Sequence, residues 1–372
     1  MSKLHKYAFA DLYDMTSGIS STKEQAGHGA PFVSFSTVFN NYFLPDELTD
    51  LMDTSEREQE IYSIKKGDIL ITRTSETVDE LAMSCVALKE YPRATYSGFV
   101  KRLRPKTTGV AYDKYMAFFL RSKYFRKVIN SNTIMTLRAS FNEDIFSFLT
   151  LYLPDYEEQV KIGNMLYNIE RKISVNKKIN DNLQQMAHAT YMHTFFGRAT
   201  NGKLGDIIAE NEKSTVQVGE AKESTGDYPF FTSGDAILRW KSAIVSGRNC
   251  FLNTGGNAGV KFYVGDAAYS TDTWCITGRD ACSDYLYLLL ESIKTELNLK
   301  FFQGTGLKHL QKPLLKDKPI YIPTESELKS FNNAVQPWMT MISDNVRQNQ
   351  ELISLRDWLL PMLMNGQATI SD

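Results

Sequence analysis

The chain is 372 residues long, 42% apolar and 23% charged, with 42 Lys and Arg against 43 Asp and Glu. At roughly 100–200 residues per domain, this length holds two or three domains with real cores, which excludes a disordered or fibrous chain. Near-neutral charge argues against a uniformly basic nucleic-acid protein, but segregated charges can cancel over a whole chain, so charge is read by segment.

The N-terminal Met1-Ser2-Lys3-Leu4-His5-Lys6 leads into Tyr7-Ala8-Phe9-Ala10-Asp11 without the apolar stretch of a signal peptide. The best apolar runs, Tyr115 to Leu120 and Tyr285 to Leu290, fall far short of the roughly 18 residues of a spanning helix. A soluble, cytoplasmic protein is expected. Cys85, Cys250, Cys275 and Cys282 form no Cys-x-x-Cys pair, which predicts free structural thiols in a reducing compartment.

In chain order, residues 1 to 60 carry ten acidic and four basic side chains. Lys65-Lys66-Gly67-Asp68 predicts a turn and Ile69-Leu70-Ile71 a short buried strand. Residues 89 to 138 then carry twelve basic and two acidic side chains, interleaved with Tyr91, Tyr96, Phe99 and Tyr124. Such a surplus suits a polyphosphate surface, although a solvated face explains a charge run equally well. Helices are expected around 112 to 130 and 283 to 300, and a second turn and strand at Ile244 to Leu252.

Shifting the sequence by 169 positions aligns Leu153 to Gly197 with Ile322 to Gly366 without a gap, and nine of the 45 pairs are identical. Both segments predict a long helix. In the first, Ile162, Leu166, Ile169, Ile173, Asn176, Asn180 and Leu183 follow alternating steps of four and three, the seam spacing of a coiled coil. Phe331, Val335, Trp338, Ile342, Asn345, Asn349 and Leu352 match them. Antiparallel packing would set Asn176 against Asn349 and Asn180 against Asn345, whereas parallel packing would set Asn176 against Asn345. Two helices buried separately is the remaining alternative. At 1.5 Å per residue each helix would be about 60 Å long, a spacer rather than a core element, which Pro337 and Pro361 could kink or shorten.

Gly197-Arg198-Ala199-Thr200-Asn201-Gly202-Lys203 mimics a phosphate-binding loop, but Leu204 stands where a hydroxyl should hold magnesium, so a helix cap and linker are expected. His5, His28, His188, His193 and His309 have no metal-ligand spacing, and no Pro-Pro dipeptide supplies the loop of an adenine methylase. No active site, metal or cofactor is expected. In the second half, Asn253-Thr254-Gly255-Gly256-Asn257-Ala258-Gly259-Val260-Lys261 and Gly304-Thr305-Gly306-Leu307-Lys308-His309 could approach a DNA backbone closely; ordinary turns explain such glycines too.

The chain resembles the specificity subunit of type I restriction-modification enzymes. The resemblance rests on Leu153-Pro154-Asp155-Tyr156-Glu157-Glu158-Gln159-Val160-Lys161-Ile162, on its counterpart Ile322-Pro323-Thr324-Glu325-Ser326-Glu327, and on Lys66-Gly67-Asp68-Ile69-Leu70-Ile71-Thr72-Arg73-Thr74. The second copy has Glu327-Leu328 where the family has Glu-Gln. The likeness implies an α+β (α/β) chain with two target recognition domains, 1–154 and 198–322, and two conserved spacer helices, 155–197 and 323–372, packed as an antiparallel coiled coil with a pseudo-twofold repeat. It also implies reading of a bipartite DNA sequence and docking to methyltransferase subunits, two in number, which bind S-adenosylmethionine, and to restriction subunits, which use ATP. Candidate DNA-binding residues are Arg73, Thr74, Ser75, Arg93, Lys101 and Arg138 in the first domain, and Asn253, Asn257, Lys261, Lys308 and His309 in the second. The competing readings are a self-contained DNA methylase or nuclease, and a coiled-coil protein scaffold that does not bind DNA.

Overall fold

The computed structural model describes residues 3–75, 80–132, 139–368 and 370. The chain divides into two compact units, one of residues 1–171 with 352–372 and one of residues 172–351. Each is built on a four-stranded antiparallel sheet. In the first unit the order is Tyr13–Ser17, Val100–Pro105, Ile69–Thr72, Ser84–Val86. In the second it is Ile208–Glu210, Thr273–Gly278, Arg248–Asn253, Val260–Val264. Ranked by sequence, both sheets run first, fourth, second, third.

The likeness continues outside the main sheets. Ala26–Val33 pairs antiparallel with Leu51–Met52 and parallel with Thr95–Tyr96. Tyr228–Phe231 does the same with Leu238–Trp240 and Ala268–Tyr269. Near the ends of the repeats, His5–Ala8 pairs with Thr150–Leu153, and Gly202–Lys203 with Pro319–Ile320.

The expected turn at 65–68 forms because Gly67 takes φ +87°, which glycine adopts without steric cost, and because the Asp68 carboxylate accepts from the Lys65 amide at 2.8 Å. The chain then enters Ile69–Thr72, buried at all four positions. The second expected turn and strand form in the same way, with Gly247 at φ +93° turning the chain into the strand Arg248–Asn253. The apolar runs Tyr115 to Leu120 and Tyr285 to Leu290 are core segments, every residue buried. No described helix is long and apolar enough to cross a membrane. All four cysteines are free and buried. Burial pushes the thiols of Cys85 and Cys275 up to about 12 and that of Cys282 to about 11, and raises Cys250 well above its ordinary range.

The two long helices are Tyr156–Thr194 and Glu325–Met364. Neither Pro337 nor Pro361 ends the second one. Beyond them, Gly197 and Gly366 adopt φ +79° and +66°, the left-handed conformation that terminates helices, so the phosphate-loop mimic is a cap. Within the second unit the helices run antiparallel. Asn176 Nδ2 donates to Asn349 Oδ1 at 2.9 Å, and Asn349 Nδ2 reaches the Ile173 carbonyl at 3.5 Å. Asn345 Nδ2 donates to Asn180 Oδ1 at 2.8 Å, and Asn180 Nδ2 reaches the Ile342 carbonyl at 3.3 Å. Exchanging the helices maps one chain of bonds onto the other, which is the 169-residue repeat expressed as geometry.

The helices are more than spacers. Ile162 and Leu166 are buried in the first unit's core with Leu360, Leu363 and Met364. Ala187, Tyr191 and Phe195 pack with Leu328, Phe331, Val335 and Met339 in the second. The expectation that they lie outside the cores is therefore corrected: a stripe of isoleucine, leucine and aromatic side chains buries its area wherever sheet and helix can cover it.

Candidate DNA interface

At one end of the first sheet, the central strand Ile69–Thr72 continues into Arg73, Thr74 and Ser75. The Arg73 amide donates to the Phe99 carbonyl at 2.8 Å, and the Phe141 amide donates to the Arg73 carbonyl at 2.7 Å. Thr74–Ser75 pairs antiparallel with Ala139–Ser140. Three segments thus meet at this edge, with Arg73 and Phe99 exposed, Thr74 half-buried and Ser75 buried.

The second unit repeats the arrangement with other residues. Its central strand Arg248–Asn253 continues into Thr254, whose amide donates to the Asp272 carbonyl at 3.1 Å and whose carbonyl accepts from the Leu310 amide at 3.0 Å. The Gly256 amide donates to the Lys308 carbonyl at 2.9 Å, and Gly255 bridges to His309. By these bonds Arg73 corresponds to Thr254, Phe99 to Asp272 and Phe141 to Leu310. The two glycine-rich segments, about fifty residues apart in sequence, therefore form one surface on which Asn257, Lys308 and His309 are exposed.

A family model described as the type I restriction modification DNA specificity domain matches residues 8–185 and again 199–332, each match falling on one of these two sheets. The chain belongs to that family. The type I restriction enzyme MjaIX specificity subunit of Methanocaldococcus jannaschii is 21% identical over 368 residues, covering 87% of this chain and 82% of that protein. The HindI specificity subunit of Haemophilus influenzae is 26% identical over 168 residues, 44% of this chain and 35% of that protein. The crystal structure of the type I restriction-modification S subunit from M. genitalium shares the fold, with a TM-score of 0.61 over 97% of this chain and 96% of that one at 13% identity.

This DNA specificity subunit deploys its predicted contact residues unevenly. Lys101 is buried, and its ammonium donates to Ser17 Oγ at 2.8 Å. Burial and then the Arg73 cation hold its pKa below the usual lysine range. Lys261 donates to the Thr232 carbonyl at 2.6 Å and also to that of Gly234, so it ties down a neighbouring turn. Asn253 is buried and donates to the Asn257 carbonyl at 3.1 Å, and a Cβ on Gly259 would sit 2.5 Å from that amide. Each of these three side chains is thus engaged within the protein, Lys101 between two paired strands and Lys261 and Asn253 at loops that carry exposed neighbours. Arg93 is exposed at φ +63° on a different segment, its Nε bonded to Gln59 Oε1 at 2.9 Å. Arg138 lies outside the described residues.

The basic stretch is likewise not one face. Arg121 donates to four backbone carbonyls, of Val38, Phe39, Asn41 and Ser84, at 2.6–2.9 Å. Arg102 caps the Ser63 carbonyl at 2.6 Å, and Arg104 makes a bidentate pair with buried Asp68 at 2.6 and 2.8 Å. Tyr91 and Tyr96 are core residues, while Phe99 and Tyr124 are exposed. Among the described residues no group of three or more His, Cys, Asp or Glu could hold a metal ion.

The Glu-Gln motif also has a structural purpose. Gln159 is buried, accepts from the Tyr112 amide at 2.9 Å and donates to the Val110 and Pro154 carbonyls at 2.9 Å. Leu328 occupies the matching place in the second helix and packs in the apolar core instead. Glu327 there closes a capping box with Thr324, receives the Tyr321 hydroxyl at 2.7 Å and pairs with Arg198.

Proposed function

We propose that this subunit reads a bipartite DNA sequence, one half-site through each unit, with recognition domains at 1–154 and 198–322 and the helical segments 155–197 and 323–372 fixing the distance between them. Methyl transfer and ATP-driven restriction are assigned to partner subunits, two methyltransferases and the restriction subunits, for which this chain is the scaffold, in the cytoplasm. No catalytic step is assigned to the chain itself. The observation that carries the reading is the pair of equivalent sheet ends, built by the same backbone bonds yet presenting Arg73 and Phe99 in one unit and Asn257, Lys308 and His309 in the other. A duplicated frame with diverged tips suits two unlike half-sites, since base edges are read by side chains whereas the frame only positions them.

Methylome sequencing of cells with and without the chain tests this. A split adenine motif present only with the chain is the expected result. Methylation or cleavage of DNA by the purified chain alone would replace it with the self-contained enzyme, and a complex that retains its partners but has no sequence preference would leave only the protein scaffold.

A further inference from the structure

Single exposed apolar side chains are ordinary on protein surfaces, and Phe148 and Leu299 are two such cases here. Phe99 differs in its place, in a tight turn at the sheet end, where its carbonyl is bonded by the exposed Arg73. Its side chain is 61% exposed, while its backbone is bonded on both sides. The Val100 amide closes the turn onto the Ser97 carbonyl at 2.8 Å, and the Phe99 amide donates to Ser97 Oγ at 3.2 Å. The Phe99 carbonyl accepts from the Arg73 amide, and the Gly98 amide donates to the Ile19 carbonyl at 2.6 Å. A Cβ on Gly98 would lie 2.9 Å from that oxygen, so only glycine lets the turn press so closely. With the backbone fixed in this way, only the two side-chain torsions of the ring are left to order when a ligand arrives.

Its surroundings narrow the ligand. Phe99 sits where the central strand leaves the sheet, directly bonded through its backbone to the exposed Arg73. A cation placed there suits a phosphate, and an aromatic ring beside it cannot hydrogen-bond a base edge. The apolar feature that a base pair displays in the major groove is the thymine C5 methyl. The second unit has Asp272 at the equivalent place, its carbonyl accepting from the Thr254 amide and hydroxyl and from the Ser233 hydroxyl. A carboxylate cannot make that contact, so the feature belongs to one half-site only.

Resting on the proposed reading of DNA by both units, we infer that Phe99 recognises the methyl group of a thymine in the half-site of the first unit. The test uses the full chain assembled with its methyltransferase subunits, and duplexes of the methylome-defined motif in which each thymine in turn is replaced by deoxyuridine. Wild type should lose about fourfold in affinity at one position, the worth of a single buried methyl. Phe99→Ala should weaken the all-thymine duplex by on the order of tenfold, lose nothing more at that deoxyuridine, and keep the wild-type salt dependence. Phe99→Leu, which retains apolar bulk, should keep the deoxyuridine sensitivity. Unchanged affinity of Phe99→Ala, a wild-type scan with no sensitive position, a first half-site without thymine, or a reduced salt slope in Phe99→Ala would each overturn the inference. Absence of any preferred motif in wild type would instead remove the DNA-reading function itself, a result independent of residue 99.

Discussion

The two units share strand order, parallel and antiparallel partners and even the bonds that close their sheet ends, yet almost none of the side chains at those ends match. The Tyr96 hydroxyl donates to the Ser17 carbonyl, and the Tyr269 hydroxyl donates to the carbonyl of Glu212. The amide of Ser97 bonds Val33, and that of Ser270 bonds Phe231. The bonds made by backbone groups alone tolerate any sequence compatible with the local conformation, whereas the tyrosine that donates through its hydroxyl and the serine after it are the same in both units, Tyr96-Ser97 and Tyr269-Ser270. The difference teaches that identity in this chain is concentrated where side chains must meet their copies, along the long helices, and is released where they face solvent.

Four experiments would break or sharpen that comparison. The largest effects should come from the buried ion pairs, which are placed differently in the two units. Arg248 makes a bidentate pair with Asp284 at 2.6 and 2.7 Å and also reaches Thr340 at 3.1 Å, tying the second sheet to its helix. Asp284→Ala leaves that guanidinium without its counter-charge and should cost about 3–5 kcal/mol. Asp68→Ala, which strands Arg104, should cost a similar amount in the first unit. Urea denaturation followed by probes in each unit checks whether each loss stays local.

Next is the asparagine layer. Asn176→Leu should destabilise the chain by about 1–3 kcal/mol, because Asn349 keeps its buried amide but loses its acceptor role. Asn176→Leu with Asn349→Leu should recover much of this, and a double-mutant cycle by chemical denaturation gives the coupling. Additive losses would mean the amides act separately.

At the sheet ends, His309→Ala should relax only the second half of the recognised motif, by about 1–3 kcal/mol at a single base, whereas Arg73→Ala, which removes a phosphate contact, should leave the preference intact. Lys308→Ala should instead weaken all sequences alike and reduce the salt slope by about one. Competition binding at several salt concentrations separates these, and relaxation of both halves by one variant would contradict the division of labour.

The smallest effect is a pH dependence carried by Glu327 in the second unit. The Thr324 amide, the Tyr321 hydroxyl and Arg198 hold the Glu327 carboxyl down to about 2, against an ordinary value of 4.5. A depressed carboxyl stabilises the fold fully above its ordinary value, and that contribution is lost as the pH falls through the window towards about 2. Melting temperature against pH should therefore fall less steeply in this range for Glu327→Gln than for wild type. Parallel curves would show that the ion pair is not coupled to folding.

Much of the scaffold was legible in the sequence. Lys65 to Asp68 announced a turn and the seam of steps four and three announced both long helices, while the antiparallel direction was favoured by the duplication and not by the asparagines, which suit either direction. The candidate interface was legible only in part. Glycine spacing located the two loops of the second unit, but it could not separate Asn257, which is exposed, from Asn253, which is buried to hold it. Charge was the weaker guide. Arg121 and Lys101 read as surface cations because nothing local reveals the carbonyls or hydroxyl they meet, which lie 37 to 84 residues away in sequence. Leu328 shows the same limit from the other side: it breaks a motif in sequence and fills a core in space.

The four buried thiols have a practical consequence. With every native cysteine enclosed and its deprotonation suppressed, alkylating reagents at neutral pH meet almost no thiolate, the species that reacts. A cysteine introduced at Gly306, an open turn where an added Cβ meets nothing within 4 Å, would be the single reactive position without any need to remove the native ones. A photo-crosslinker or spin label attached there would report which nucleotide passes the second unit, turning the chain's chemical silence into a ready background for mapping its path on DNA.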